Sequence, residues 1–199
     1  MNRKTFDVLM ATAGLVVAAV LLVAGCLLVW GHQFAASNVR SQLVAQKVYF
    51  PAKGSPELAD PKVGPYLNRY AGQQLTSGAQ AKAYADHFIG VHLQKIGGGQ
   101  TYAQLSAKAM AQPTNTALAA QVNTVFKGET LRGMLLNAYA FWKLGQIALY
   151  AAYAAFAGAI VMLLLAALGY LHIRRVAPTA ELLPKLTEPG TTTSAAATS

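Results

Sequence analysis

Hydrophobic positions along this chain gather into two charge-free blocks on either side of a long amphipathic middle. Residues 8–39 contain no Asp, Glu, Lys or Arg, and the densest part, residues 8–30, is 23 residues long. A bilayer-crossing helix needs ~20 mainly apolar residues, whereas a signal core has ~7–15. The second block, residues 144–173, is bracketed by Lys143 and by Arg174 and Arg175. At 1.5 Å per residue it exceeds a ~30 Å hydrocarbon layer, which predicts a helix that projects beyond the membrane. Just before it, Leu131, Leu135, Leu136, Tyr139 and Trp142 recur at helical spacing with no proline. One long helix is therefore expected to begin near Glu129.

The middle of the chain is also patterned as helix. Ser77 followed by Gln80, and Thr101 followed by Gln104, match the S/T-x-x-E/Q pattern in which side chains satisfy the free amides of a first turn. These starts predict a helix over 78–96, stopped by Gly97, Gly98 and Gly99, and another over 102–112, stopped by Pro113. A third, over 116–127, puts Leu118, Val122, Val125 and Phe126 on one face. Residues 37–48 continue the first apolar block as an amphipathic extension. Residues 51–65 hold four prolines and predict an extended loop with one capped turn at Ser55, Pro56 and Glu57. No stretch alternates as a strand would.

The hexapeptide LLVAGC, residues 21–26, admits two readings. Val23, Ala24, Gly25 and Cys26 fit the box before a lipidated cysteine, and Arg3 and Lys4 give the basic start of a signal. A lipidated cysteine should open a polar segment, but Leu27, Leu28, Val29 and Trp30 continue the apolar run. An uncleaved span is the expectation, with Trp30 and His32 at its interfacial end. Cys26 is then an unpaired thiol within the membrane.

Composition agrees: 54% of residues are hydrophobic and 12% charged. Arg3 and Lys4 before the first span, and Arg174 and Arg175 after the second, place both termini in the cytoplasm. The intervening segment carries 11 basic and 4 acidic residues, net +7, but loops longer than ~60 residues translocate largely regardless of charge. The expected fold is all-α: two transmembrane helices with an extracytoplasmic helical bundle domain. Residues 1–33 form the cytoplasmic N-terminus and first span, 34–143 the external domain and 144–175 the second span. The Pro-, Thr- and Ala-rich 176–199 form a disordered cytoplasmic tail. The location expected is a bacterial plasma membrane.

Chemical signals are sparse. His87 and His92 flank an apolar helical face, but five positions on a regular helix set them about 140° apart, too far around to grip one ion. The external acids, Glu57, Asp60, Asp86 and Glu129, form no paired-carboxylate spacing. No G-x-S-x-G, no P-loop and no cysteine outside the span is present. No catalytic, cofactor-binding or metal-binding residues are assigned, and no cofactor is expected. Tyr84, Phe88, His92 and Tyr102 are the candidate lining of a small-ligand pocket. Ala151, Ala155, Gly158 and Ala159 on the second span, with Gly14 and Ala18 on the first, are candidate close-packing positions. They serve either the pairing of the two spans or contact with a homo-oligomer or membrane-protein partner. The spread of the basic residues suits a solvated surface, with anionic lipids or envelope polymers as the alternative, and no nucleic-acid module is present.

The segments QKVYFPAKGS, GPYLNRYAGQQL, AYADHFIGVHL, TYAQLSAKA and FKGETLRGMLLNAYAFWK, set between two spans, resemble a group of uncharacterised two-span membrane proteins of actinobacteria. Some members carry the label aromatic ring-opening dioxygenase, which would imply non-haem iron. That site needs two His and a carboxylate converging, and His32, His87 and His92 are the histidines outside the spans. The resemblance therefore assigns no activity here. The function expected is a non-enzymatic membrane accessory or interaction subunit of the cell envelope. The alternative is an external small-ligand or sensor module, and a metal-dependent enzyme comes third. An apolar cavity of a few hundred Å³ would favour the second; a filled bundle with an exposed apolar face, the first.

Overall fold

The structure, a computed structural model, describes residues 3–175, so the tail expected over 176–199 lies outside the described residues. The described chain is all-helical, with α1 (Arg3–Ala45), α2 (Pro56–Ala59), α3 (Gly64–Leu67), α4 (Gly78–Tyr84), α5 (Gly90–Ile96), α6 (Tyr102–Ala111) and α7 (Thr116–Arg175) in order. α1 and α7 are the two helices long and apolar enough to cross a membrane. The chain divides into two compact units, Ala24–Ala154 and Met1–Val23 with Ala155–Ser199.

In the unit Ala24–Ala154, local chemistry sets most boundaries. α1 stops at Ala45 because Lys47 takes the left-handed backbone, φ 53°, three residues before the expected end. Prolines open the single turns α2 and α3, where a missing N–H costs nothing. Ser77 and Thr101 each receive the N3 amide, from Gln80 and Gln104, and both capping boxes close reciprocally. Gly98 and Gly99, at φ 59° and 77°, end α5 in a conformation that a Cβ would resist. Between α1 and α4, Phe50 N–H donates to Gln73 O and Leu75 N–H to Val48 O, both at 2.9 Å, around one antiparallel bridge of Tyr49 with Gln74.

Two expectations change. The helix over 78–96 is interrupted by a π-helical turn, Ala85–Ile89, in which the Gly90 N–H reaches back to Ala85 O. The helices expected over 116–127 and from 129 are one helix, because Gly128 does not break α7. Gly128 instead lets α5 approach: a Cβ there would collide with the Leu93 side chain. Such a glycine inside a helix has a packing reason. The core behind these contacts joins Val39 and Leu43 of α1, Phe50, Leu58, Val63, Leu67 and Leu75 of the connecting segments, Ala81 and Val91 of the 78–96 region, and Leu135 of α7. Each fully buried Leu contributes about 1.5–3 kcal/mol.

The unit Met1–Val23 with Ala155–Ser199 is built the other way round, with small residues inside and large ones outside. Ala18 and Ala159 are fully buried, Ala11 and Ala166 nearly so. A Cβ on Gly14 would lie 3.8 Å from Ala166 Cβ, and one on Gly169 3.3 Å from Ala11 Cβ. Thr12 Oγ1 and Tyr170 OH share a 3.2 Å hydrogen bond across the pair. Outward, Leu15, Val20, Ile160 and Leu168 are 46%, 61%, 57% and 61% exposed. Helices that meet through small residues and present leucines outward are the pattern of association in lipid, where large apolar side chains need no burial.

A candidate ligand groove

Where α1 and α7 leave their charge-free blocks, the unit Ala24–Ala154 opens a groove of about 580 Å³. Val39 and Leu43 of α1, Leu135 and Ala138 of α7, and Ile89 from the π turn give it an apolar floor. Leu131, Met134 and Phe141 form one lip and are 55%, 62% and 45% exposed, so the groove is partly open. The other edge is a row of carboxamides, Asn38, Gln42 and Gln46, with Asn137 opposite on α7. Gln42 Nε2 donates to Asn38 Oδ1 at 2.6 Å. No residue in the lining carries a formal charge, although the segment 34–143 carries net +7.

The sequence builds this site from two periodicities and one irregularity. Asn38 and Gln42 lie four apart on α1, beside Val39 and Leu43, and Gln46 continues the row in the turn just past the helix, so an amide edge runs next to an apolar strip. The π turn widens the helix locally and brings Tyr84 and Ile89, at either end of it, into the same wall. Such turns occur frequently at functional sites. Its register is held from outside by Asp86, which binds Lys82 Nζ at 2.6 Å and Arg132 Nη2 at 3.5 Å. Burial pushes the Asp86 carboxyl up, but the Lys82 hydrogen bond and the charges of Lys82 and Arg132 outweigh it and hold the group below its ordinary range.

Three of the four expected pocket residues come together, and one does not. Tyr84, Phe88 and His92 stack in sequence, with centroids 4.7 and 4.5 Å apart, and Phe50 meets Tyr84 edge-on at 5.4 Å. Tyr84 lines the groove, and burial raises its hydroxyl above the ordinary range. Phe88 packs behind it. His92 Nδ1 bonds the Phe88 carbonyl at 2.7 Å, and its ring faces a separate hollow with Glu57, Asp60 and Lys95. There Asp60 is held below the usual carboxylate range by the hydrogen bond from Lys95 and by the Lys62 amide. Tyr102 sits elsewhere, tilted against Phe126 at 5.5 Å. His87 stacks on Tyr66 with centroids 3.5 Å apart. The π turn invalidates the regular 140° spacing used for the two histidines, yet they still have different neighbours. Among the described residues no three His, Cys, Asp or Glu side chains gather as metal ligands would.

The expected helix-packing positions divide similarly. Ala18 and Ala159 are fully buried; Gly14, Ala155 and Gly158 are half-buried, and a Cβ on Gly158 would stand 3.3 Å from Leu21. Ala151 faces outward, while its neighbour Ala152 is fully buried. From Gly145 onward the buried positions of α7 recur every seven residues, at Gly145, Ala152, Ala159, Ala166 and Ile173, a heptad phase, whereas the expected Ala151, Ala155 and Ala159 would form a ridge of four-residue spacing.

No protein-family model, curated protein or solved structure matches the chain.

Proposed function

We propose that this protein is a two-span membrane protein of the bacterial plasma membrane, with both termini cytoplasmic. Its external domain is a non-enzymatic binding module for an uncharged, elongated, largely apolar ligand. The groove carries this reading: about 580 Å³ of apolar floor with a carboxamide edge and no formal charge. Its volume lies within the ~300–1,000 Å³ of small-molecule sites, which are mostly apolar with a few polar groups to fix orientation. The chain's small-outside-large reversal in the spans and its basic flanks support the membrane placement.

The test is occupancy by a neutral apolar photoprobe on the purified full-length chain. Labelling of peptides bearing Leu135 and Ala138 in the wild type, lost in Ala138→Trp, supports the reading. Equal labelling in both proteins would remove it.

A second reading, the accessory subunit, draws on a different observation. Phe126, Met134 and Phe141 are 52%, 62% and 45% exposed and lie within about 80° of one another around α7. A partner's apolar helix would cover that stripe. Co-purified stoichiometric protein that is lost on Phe126→Asp would establish it.

A further inference from the structure

The position of the groove on its two helices narrows what occupies it. Immediately below the amide edge, α1 carries Trp30 and Phe34, stacked at 5.8 Å, and His32, whose Nδ1 lies 3.0 Å from Gly145 O. The approach of Gly145 to Ala35 sets α7 antiparallel to α1 and brings Tyr150, 66% exposed, to the level of Trp30. Aromatic residues of this kind collect where hydrocarbon gives way to headgroups. On α1 the groove begins about one turn beyond that belt, since Asn38 is four residues past Phe34; on α7, Trp142 lies opposite Asn38 and packs over Gly78 at the near end of the groove.

On the membrane side of the groove, α1 offers an open strip at Gly31. Gly31 falls on the same face of α1 as Asn38 and Gln42, seven and eleven positions on, and a Cβ placed there would meet nothing within 4 Å. Beside it α1 and α7 touch through the small pair Ala35 and Gly145, so the open side is the outer face of α1 at Gly31. The groove's apolar floor starts at Val39 and is edged by groups that donate and accept hydrogen bonds but bear no charge. In a segment of net +7, a groove for an anion would be expected to carry a Lys or Arg, and none lines this one.

Resting on the binding-module reading above, we infer that the occupant is the hydrocarbon chain of a membrane lipid, drawn from the outer leaflet past Gly31. The lipid's uncharged ester or amide linkage bonds to Asn38, Gln42 and Asn137. Passing from bilayer to groove keeps the chain in apolar surroundings, so the hydrogen bonds to the amides and the fit of the floor set both affinity and depth. The headgroup stays at the aromatic belt.

The experiment reconstitutes the full-length chain in phosphatidylcholine vesicles containing a phosphatidylcholine with a diazirine near the end of one acyl chain, and maps crosslinked peptides after irradiation. Lipid in the groove gives crosslinks at Ile89, Leu135 or Ala138, beyond the belt, as well as along the spans. Ala138→Trp, which fills the floor, and Met134→Glu, which puts a charge on the exposed lip without touching the core, are both expected to cut groove crosslinks at least tenfold while leaving span crosslinks unchanged. Crosslinks confined to the spans in the wild type overturn the inference. A neutral aryl diazirine without a lipid headgroup, read at the same peptides, separates the two levels. If it labels the groove while the lipid does not, the binding module stands and the lipid falls; if neither labels it, both fall.

Discussion

Gly145 of α7 lies so close to Ala35 of α1 that a Cβ on the glycine would stand 2.9 Å from Ala35 Cβ. Real Cβ atoms need more room, so any larger residue at 145 must push the helices apart just below the groove. Gly145→Val is expected to cost about 1–3 kcal/mol, as overpacking does. Ala35→Gly in the same chain should recover part of that loss, since it removes the atom in the way. A double-mutant cycle on thermal unfolding checks it; equal losses with and without Ala35→Gly would mean the two residues are not in contact.

The heptad phase of α7 gives a sharper discrimination. Ala159 is fully buried, whereas Ala151, the other end of the expected four-residue ridge, faces outward. Ala159→Leu is expected to destabilise the span pair by about 1–3 kcal/mol, and Ala151→Leu to change it by about 0.5 kcal/mol or less. Denaturation in detergent by a titrated anionic surfactant reads both. A larger effect at 151 would restore the four-residue ridge.

These two results mark where the sequence is legible. The charge-free blocks and the pairs Ser77 with Gln80 and Thr101 with Gln104 act locally, and the structure keeps all of them. The phase of the small residues is not local. Ala151, Ala152, Ala154 and Ala155 are equivalent in composition, and only the position of α1 selects Ala152 and Ala159. The π turn is hidden for a similar reason, because Ala85, Asp86, His87, Phe88 and Ile89 would suit a regular helix equally well. The groove depends on residues 38–46 meeting residues 131–141, far apart in the chain. Its amide edge has only a weak signature: Asn38, Gln42 and Gln46 recur at four-residue spacing beside Val39 and Leu43, but among other polar residues, Ser37, Arg40 and Ser41. Tyr84, Phe88 and His92 were found through their shared face, but Tyr102 belongs to a helix that packs elsewhere.

Asp86 links acid sensitivity to the π turn. Its folded carboxyl sits below the ordinary range, so the unfolded chain takes up the proton first as pH falls. Its stabilisation is therefore present at neutral pH and is lost on acidification from about pH 4 downward, through the folded value. Lys82 and Arg132 are 48% and 36% exposed, so screening limits the contribution to about 1 kcal/mol or less. Asp86→Asn should lower the unfolding temperature at pH 7 and converge with the wild type once the pH falls below the folded carboxyl's lowered value. A difference that persists undiminished at the lower pH would mean that Asp86 acts through packing and not through charge.

Topology is tested by thiols, and the native Cys26 is the most informative of them. Cys26 is exposed on the surface of α1, so nothing in the protein shields it from a reagent. Only lipid around residues 8–30 would make it inert to a membrane-impermeant maleimide in intact cells, while a lipid-soluble maleimide still reaches it. Gly98 is a poor place for an added external cysteine, because its φ of 59° disfavours any side chain. Thr114, exposed in the turn between α6 and α7, is better. In a Cys26→Ala background, Thr114→Cys is expected to label in intact cells and Ser194→Cys only after lysis. The reverse pattern would invert the orientation. Intact mass of the wild type closes the remaining ambiguity in LLVAGC. A chain that retains residues 1–25 is expected; a chain beginning at Cys26 with added diacylglyceryl mass would remove most of the first span and the two-span architecture with it.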